Sequence, residues 1–375
     1  MTSHGAQRTA QSVVDVCRGV VPQVPTAPAQ VTELVEALRH HRVAPLAHVL
    51  LRETEPDTAE VLKPDRDTAV GVHIRATIAL EDLGRALGDI PWATFKGPVL
   101  SELAHPAPGL RTYNDIDVLV DGRTLREVTT RLLAAGWSVA DYNDMLHNPR
   151  TPGEMHWVSP TGLLVDLHWS MINMAERRRR FTVASDELLA RRVPVTLGLT
   201  QAYTLEHADA LTHVCLHAAL TGANRMLLLL DADQLARQAP DWLEVAARAR
   251  AWRAEPYVAV VLRRAHTLLG TPLPEDLDRM LGTSAAFHLV TGTADRLAPV
   301  SSLRREASVA RLISRAARHG AGRTLAAVGH NSLLGVRNRL FHLGGTGAPP
   351  ARERADAEAL EAYLCAVEAE TAGAS

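Results

Sequence analysis

Two carboxylates in one largely apolar stretch, Asp115 and Asp117, constrain this chain more than any other feature. Side chains on a β-strand alternate between its faces, so both aspartates point one way while Ile116, Val118 and Val120 point the other way into a core. Like charges this close repel each other unless something positive binds between them. Because Mg²⁺ prefers one or two carboxylates together with substrate phosphates, the pattern predicts a metal site on a strand, although it also occurs by chance at strand ends.

The composition limits the class of protein. The chain has 375 residues, of which 46% are hydrophobic and 22% charged, enough for two or three domains with a sizeable core. The net charge of -2 argues against a basic nucleic-acid groove over the whole surface, and the 4% aromatic content argues against a stacking platform for single strands. The widely spaced Cys17, Cys215 and Cys365 fit reduced thiols, and the N-terminus lacks an apolar signal core. We therefore expect a cytoplasmic protein that does not bind membranes.

The order of predicted elements indicates an α+β fold, in which a small mixed sheet is flanked by N-terminal helices and a larger C-terminal helical region. The periodicity is helical in residues 31–88, strand and helix patterns alternate from Trp92 to Ser170, and after Ser170 the periodicity is almost wholly helical. The predicted segments are a loose or partly helical arm (1–29), a helical segment (30–90), a mixed α/β core (91–172), a helical domain (173–345), and a C-terminal helix and tail (346–375).

Further groups could take part in chemistry beside the carboxylate pair. Lys96 and Gly97 form a turn between a predicted strand and a predicted helix, where backbone N–H groups and the lysine could hold a phosphate, although such turns are more often structural. Asp166 and His168 share one face of a later strand. Asp166 could bind a second metal ion or accept a proton, whereas a hydrogen-bonded Asp–His pair at a sheet edge would also explain the two residues. Arg111 could hold a phosphate or offset charge.

Histidines in the helical region have a less specific interpretation. His213 and His217 lie four residues apart on a predicted helix, a spacing that can bind metal. No glutamate follows His213 in the arrangement that metalloproteases use. For His217 we therefore favour a role in helix packing or in orienting the residues that bind the ligand. We favour the same orienting role for His168.

Taken together, these motifs resemble the polymerase-beta-like nucleotidyltransferase superfamily and, more narrowly, the bacterial uncharacterised nucleotidyltransferase family. The resemblance extends through the helical segments to cover most of residues 30 to 270. Its specificity comes from the order of the motifs, because each motif alone is weak. The segments that carry it are Phe95–Leu100, Leu110–Val120, Val165–Trp169, Leu211–His217 and Leu230–Asp233.

The resemblance implies an enzyme that moves a nucleoside monophosphate from an NTP to a hydroxyl or similar acceptor and releases pyrophosphate, with Mg²⁺ or Mn²⁺ as cofactor. The implied functional residues are catalytic and metal-binding Asp115, Asp117 and Asp166, and phosphate-binding Lys96, Gly97 and Arg111. The helical domain after residue 173 is expected to choose the acceptor. A small molecule or peptide is favoured over nucleic acid, because the net charge is close to neutral.

Alternatives from other functional classes stay open. Pro98 follows Gly97 where the superfamily usually has serine or glycine, and it offers neither a hydroxyl nor an N–H to a phosphate. A degenerate protein that binds nucleotide or a partner without chemistry would fit this change. A toxin-like enzyme acting on tRNA or protein would fit the motifs but needs a basic acceptor surface. A helical scaffold for partner proteins would leave the aligned aspartates unexplained.

Overall fold

The computed structural model describes residues 3–141, 145–302, 314–318, 322–324 and 356–373. The chain divides into two compact units. The first unit takes residues 1–70, 104–112 and 207–345, and the second takes residues 71–103, 113–206 and 346–375. Each unit is assembled from separate stretches, whereas the sequence predicts consecutive segments. Residues 303–313, 319–321 and 325–355, which include parts of the predicted 173–345 and 346–375 segments, lie outside the described residues.

The regular elements confirm the predicted α+β class. The helices are α1 Ser3–Cys17, α2 Pro28–His40, α3 Ala44–Leu51, α4 Pro56–Leu87, α5 Gly97–Leu103, α6 Leu125–Ala134, α7 Ala175–Arg178, α8 Ser185–Ala190, α9 His207–Thr221, α10 Met226–Arg237, α11 Trp242–Ala251, α12 Glu255–Leu269, α13 Leu277–Met280, α14 Ala285–Leu297 and α15 Ala357–Ala372. The strands are β1 Trp92–Phe95, β2 Asp115–Val120, β3 Ser138–Ala140, β4 Glu154–Val158, β5 Leu164–His168, β6 Val193–Leu197 and β7 Thr200–Thr204. None of the helices in the described part of the chain combines the length and apolar character needed to cross a bilayer.

The first unit is helical. Helices α9, α10 and α12 contact one another and bury apolar residues such as Leu211, Leu230 and Val258. The segment 1–29, predicted to be loose or partly helical, begins with α1, whose Val13 and the neighbouring apolar positions are buried. Apolar residues three and four apart along α1 therefore place it against a core.

The second unit is built on a five-stranded sheet in the order β1-β2-β5-β4-β3. Strands β2 and β5 run parallel, and every other neighbouring pair in this sheet runs antiparallel. One sheet face packs on α4 and α6 in a continuous apolar core. The residues that the sheet contributes to this core include Ile116, Val118, Val120, Met155, Trp157, Val165 and Leu167. They alternate along each strand, so the opposite face is available for polar side chains.

Residues 193–204 correct the prediction that the chain is almost wholly helical after Ser170. They form the antiparallel hairpin β6–β7. Alternate positions, such as Val195 and Leu197, are buried, and this period of two distinguishes a strand from a helix. Gly198 begins the two-residue loop with φ of 59°, a conformation that side-chain-bearing residues rarely adopt.

Helix α15 completes the core of the second unit. Ala359, Leu364 and Val367 are buried in that core, and the hydroxyl of Tyr363 donates to the carbonyl oxygen of Pro152 at 2.7 Å. The same hydroxyl accepts a hydrogen bond from the indole N–H of Trp169 at 2.8 Å. Since Trp169 directly follows β5, α15 fixes the end of a central strand.

We predict that Tyr363→Ala lowers the free energy of unfolding by about 3–5 kcal/mol, because it removes a buried ring and one of the two hydrogen-bond acceptors of the Trp169 indole. Chemical denaturation followed by tryptophan fluorescence measures the change. Ala362→Gln, at an exposed position of the same helix, is the control and should cost less than about 0.5 kcal/mol. Equal stability of Tyr363→Ala and the wild type would contradict the packing of α15 into this core.

Candidate active site

The polar face of the sheet carries titratable side chains from three neighbouring strands. The parallel pairing of β2 with β5 places Asp117 opposite Asp166, and the antiparallel pairing of β5 with β4 places Asp166 opposite His156. Residues in register on adjacent strands point to the same face, so these side chains lie side by side. Asp115 points to this face as well, since it lies two residues before Asp117.

A second row on the same face pairs His168 of β5 with Glu154 of β4. Glu154 and His156 were not among the residues singled out from the sequence. They alternate around Met155, which is fully buried in the core on the opposite face. The signal was therefore the same one that identified Asp115 and Asp117, two polar residues separated by an apolar one in a strand.

Asp117 is surrounded by positive charge. Its Oδ1 accepts from Lys96 Nζ at 2.8 Å and from His168 Nε2 at 3.1 Å, and the residue is buried. Burial alone would raise the pKa of Asp117, but Lys96 and His168 outweigh it and hold the pKa well below its ordinary range. Asp117 is thus a carboxylate that stays ionised because its counter-charges are already in place.

The turn before α5 brings Lys96 to this carboxylate. Lys96 has φ of 56°, a left-handed conformation that is costly for a residue with a side chain. At Gly97 a Cβ atom would lie 3.2 Å from the carbonyl oxygen of Asp115 and 3.3 Å from the Tyr113 ring. Close packing of this turn against β2 therefore explains the glycine, and the phosphate contact predicted for Gly97 stays a prediction.

His168 lies between two carboxylates. Its Nε2 is 3.1 Å from Asp117 Oδ1, and its Nδ1 is 3.3 Å from Glu154 Oε2. Burial lowers the pKa of His168, but the hydrogen bond to Asp117 and the charge of Glu154 outweigh burial and raise the pKa above its ordinary value. Only Nε2 is hydrogen-bonded, whereas Nδ1 lies within ion-pair distance of Glu154 without a hydrogen bond.

Asp166 has a different environment from Asp117. Its Oδ1 is buried and has no hydrogen-bond partner among the described residues, and the nearest titratable nitrogen, His156 Nε2, is 3.6 Å away. Burial, together with the negative charges of Asp115 and Asp117, raises the pKa of Asp166 to about 7 despite the nearby imidazoles of His168 and His156. The negative charge of this carboxylate is therefore not compensated by a bonded cation.

The arrangement fits a divalent cation. Two sets of residues could each hold an ion, and within each set the ligand atoms lie within 4.8 Å of one another. One set is Asp117, Asp166 and His168, and the other is Glu154, His156 and Asp166. Carboxylate oxygens suit Mg²⁺ and Mn²⁺, and imidazole nitrogens extend the choice to other transition ions. Asp166 is common to both sets, and a cation beside it would supply a partner for its buried Oδ1.

Arg111 and His217 belong to the first unit, whereas the polar face of the sheet belongs to the second. The Arg111 guanidinium forms a bidentate pair with Asp231, with Nε and Nη2 at 2.9 and 2.8 Å from the two carboxylate oxygens. His105 Nε2 lies 3.0 Å from the same carboxylate. The ring of His217 lies 5.9 Å from that of His213, centroid to centroid. The roles predicted from the sequence for Arg111 and His217 stay predictions.

Comparison with known proteins provides an independent observation. A family model described as uncharacterised nucleotidyltransferase matches residues 27–270 of the chain. No curated protein matches the chain. The matched range contains the Lys96–Gly97 turn and every titratable side chain placed above on the polar face of the sheet.

The Arg111–Asp231 pair generates a stability prediction. Both side chains are buried, so Asp231→Asn leaves a guanidinium without its counter-charge. We expect a loss of about 3–5 kcal/mol in the free energy of unfolding, measured by urea denaturation at neutral pH. Asp67→Asn, at an exposed position of the same unit, is the control, and a loss no larger than that of the control would contradict the structural role.

The same pair predicts a dependence on pH. Burial alone would raise the pKa of Asp231, but Arg111 and His105 outweigh it and hold the pKa below its ordinary range. The stabilisation is therefore fully present above the unfolded-state pKa of about 3.9 and is lost as the pH falls towards the folded-state value. The stability gap between the wild type and Asp231→Asn should shrink in urea titrations below about pH 4. A difference in stability between the two proteins that grows on acidification would contradict the prediction.

Proposed function

Because this chain belongs to the uncharacterised nucleotidyltransferase family, we propose that it transfers a nucleoside monophosphate from an NTP to a hydroxyl group of a small molecule or peptide. The observation that carries the proposal is the register of β2 and β5, which sets Asp117 beside Asp166 with Asp115 on the same face. Acidic side chains from two strands thus converge at one place, as metal-assisted phosphoryl chemistry requires.

In this proposal Asp115, Asp117 and Asp166 hold Mg²⁺ or Mn²⁺. When bound, the divalent ions offset charge on the triphosphate and lower the pKa of the acceptor hydroxyl. The buried Asp166 oxygen that has no hydrogen-bond partner among the described residues supports this assignment.

Asp166 is proposed to accept the proton of the attacking hydroxyl. The acceptor oxygen forms a bond to the α-phosphorus, the bond from that phosphorus to the bridging oxygen breaks, and pyrophosphate leaves. A base is most effective when its pKa lies close to the working pH, and the pKa of Asp166 is raised to about 7. Asp117, with its lowered pKa, is proposed to stay ionised throughout and to bind positively charged groups.

Lys96 is the residue on which phosphate binding depends in this proposal. Its ammonium is 2.8 Å from Asp117 and is carried on a flexible stem. If Asp117 held a divalent ion, Lys96 would be the ammonium that offsets charge on a phosphate oxygen of the nucleotide. Arg111 is already engaged by Asp231, so the proposal does not depend on it.

Substitution of the paired carboxylates tests the proposal. Asp117→Asn and Asp115→Asn should each reduce transfer by at least about 100-fold, because both remove charge that stabilises the transition state. The assay incubates the protein with each labelled NTP, cell extract and Mg²⁺ or Mn²⁺, and measures pyrophosphate release and the mass of nucleotidyl adducts. Asp89→Asn, an exposed aspartate in the same unit, is the control. Full activity in either site variant would exclude the metal assignment.

Asp166→Asn separates the proposed proton acceptor from nucleotide binding. We expect kcat to fall by at least about 100-fold while the Kd for the NTP changes by less than about tenfold, since the variant loses a base rather than a phosphate contact. Calorimetry with a non-hydrolysable NTP gives the Kd. A variant with an unchanged turnover number would exclude Asp166 as the base.

A second candidate function is nucleotide binding without chemistry. It is favoured by Pro98, which occupies the first turn of α5 and has no N–H to offer a phosphate. Calorimetry with a non-hydrolysable NTP and Mg²⁺, paired with the pyrophosphate assay, distinguishes the two. Binding without pyrophosphate release under every metal and NTP would favour this second function.

A further inference from the structure

We propose that Glu154, His156 and Asp166 form a binding site for a divalent first-row transition ion on the polar face of the sheet. The site deepens the proposed function and rests on it in one respect, because Asp166 is shared with the proposed catalytic carboxylates. Glu154 and His156 come from β4, a strand that the sequence motifs of the chain do not include. The ion would thus be held by an imidazole nitrogen and two carboxylates.

The separations between the ligand atoms support this assignment. His156 Nε2 lies 3.6 Å from Asp166 Oδ1 and 3.8 Å from Glu154 Oε1, and the ligand atoms of all three residues lie within 4.8 Å of one another. Ligands about 2.1 Å from one ion stand roughly 3–3.5 Å apart, so the two distances from His156 Nε2 are close to those that a shared ion requires.

The distribution of charge places the ion at this end of the polar face. At the other end, Asp117 Oδ1 already has the ammonium of Lys96 and His168 Nε2 as hydrogen-bond partners. Asp166 Oδ1 is buried without a hydrogen-bond partner among the described residues. A buried carboxylate oxygen of this kind gains most from a cation, because its desolvation is otherwise uncompensated.

The supporting contacts hold the ligands in place. Asn173 Nδ2 donates a hydrogen bond to Glu154 Oε1, and His168 Nδ1 lies 3.3 Å from Glu154 Oε2. The ligands project from β4 and β5, which pair with each other over their whole lengths. Partners behind a ligand that fix its orientation are typical of metal sites, and strands hold ligands more rigidly than loops do.

The presence of an imidazole determines the class of ion. Mg²⁺ takes oxygen ligands in near-ideal octahedra and gains little from nitrogen, whereas first-row transition ions bind imidazole well. A site of two carboxylates and one histidine therefore favours ions such as Mn²⁺ over Mg²⁺. The protein should bind Mn²⁺ in the absence of any nucleotide.

Electron paramagnetic resonance of the full-length protein with Mn²⁺ alone tests the site. We expect Mn²⁺ binding, and spin-echo modulation from one directly bonded nitrogen in the wild type. His156→Gln should lose the nitrogen modulation and weaken Mn²⁺ binding by at least about tenfold. Glu154→Gln should weaken binding similarly and keep the nitrogen. His147→Gln, an exposed histidine of the same unit outside the cluster, is the matched control and should behave as the wild type.

Absence of nitrogen modulation in the wild type, or its persistence in His156→Gln, would overturn the inference. The wild-type spectrum decides the question even if a variant does not fold, and circular dichroism of each variant checks folding. Failure of the inference and failure of the proposed function are distinguishable. If the protein binds Mn²⁺ through nitrogen but shows no transferase activity, the metal site stands and the proposed function is excluded. If the wild type shows no bonded nitrogen and Mg²⁺-dependent transfer is unchanged in His156→Gln, the metal site is excluded and the proposed function stands.

Discussion

The parallel pairing of β2 with β5 is the constraint on which the polar face depends. It sets Asp117 against Asp166, and the pairing of β5 with β4 extends that row to His156. A slip of one residue in either pairing would turn the polar side chains of a strand into the core and expose its apolar residues. The apolar residues between the acids, such as Ile116 and Val165, are buried and make such a slip costly. The core under the sheet thus determines which charges meet above it.

The two central aspartates differ because their neighbours differ. Asp117 is bonded to Lys96 and His168 and has a lowered pKa, whereas Asp166 has a raised pKa and no bonded cation among the described residues. Neighbouring acids in different environments can thus have widely different pKa values. The division follows from which strand each residue occupies, since the turn that carries Lys96 follows β1, and β1 pairs with β2.

Local periodicity predicted much of this arrangement, and long-range pairing accounts for the rest. The alternation of polar and apolar residues in 115–120 and 164–168 was sufficient to predict which side chains share a face. The participation of Glu154 and His156 depends on the register between β4 and β5, which local patterns do not determine. The partner of Arg111 lies 120 residues away on α10, so charge spacing near Arg111 could not identify it. The hairpin at 193–204 was missed because a short alternating run was interpreted within a helical background.

Helix α15 has a consequence for the order in which the protein is made. The unit that contains the polar face draws its core from residues 71–103 and 113–206 and also from α15, while residues 207–345 belong to the other unit. A chain emerging from the ribosome completes the sheet long before it completes α15. Domains generally fold as units during synthesis, yet here the place of Tyr363 beside Trp169 stays empty until residues 357–372 have been made. The sheet of the nascent chain therefore keeps part of its apolar surface exposed until α15 has been synthesised.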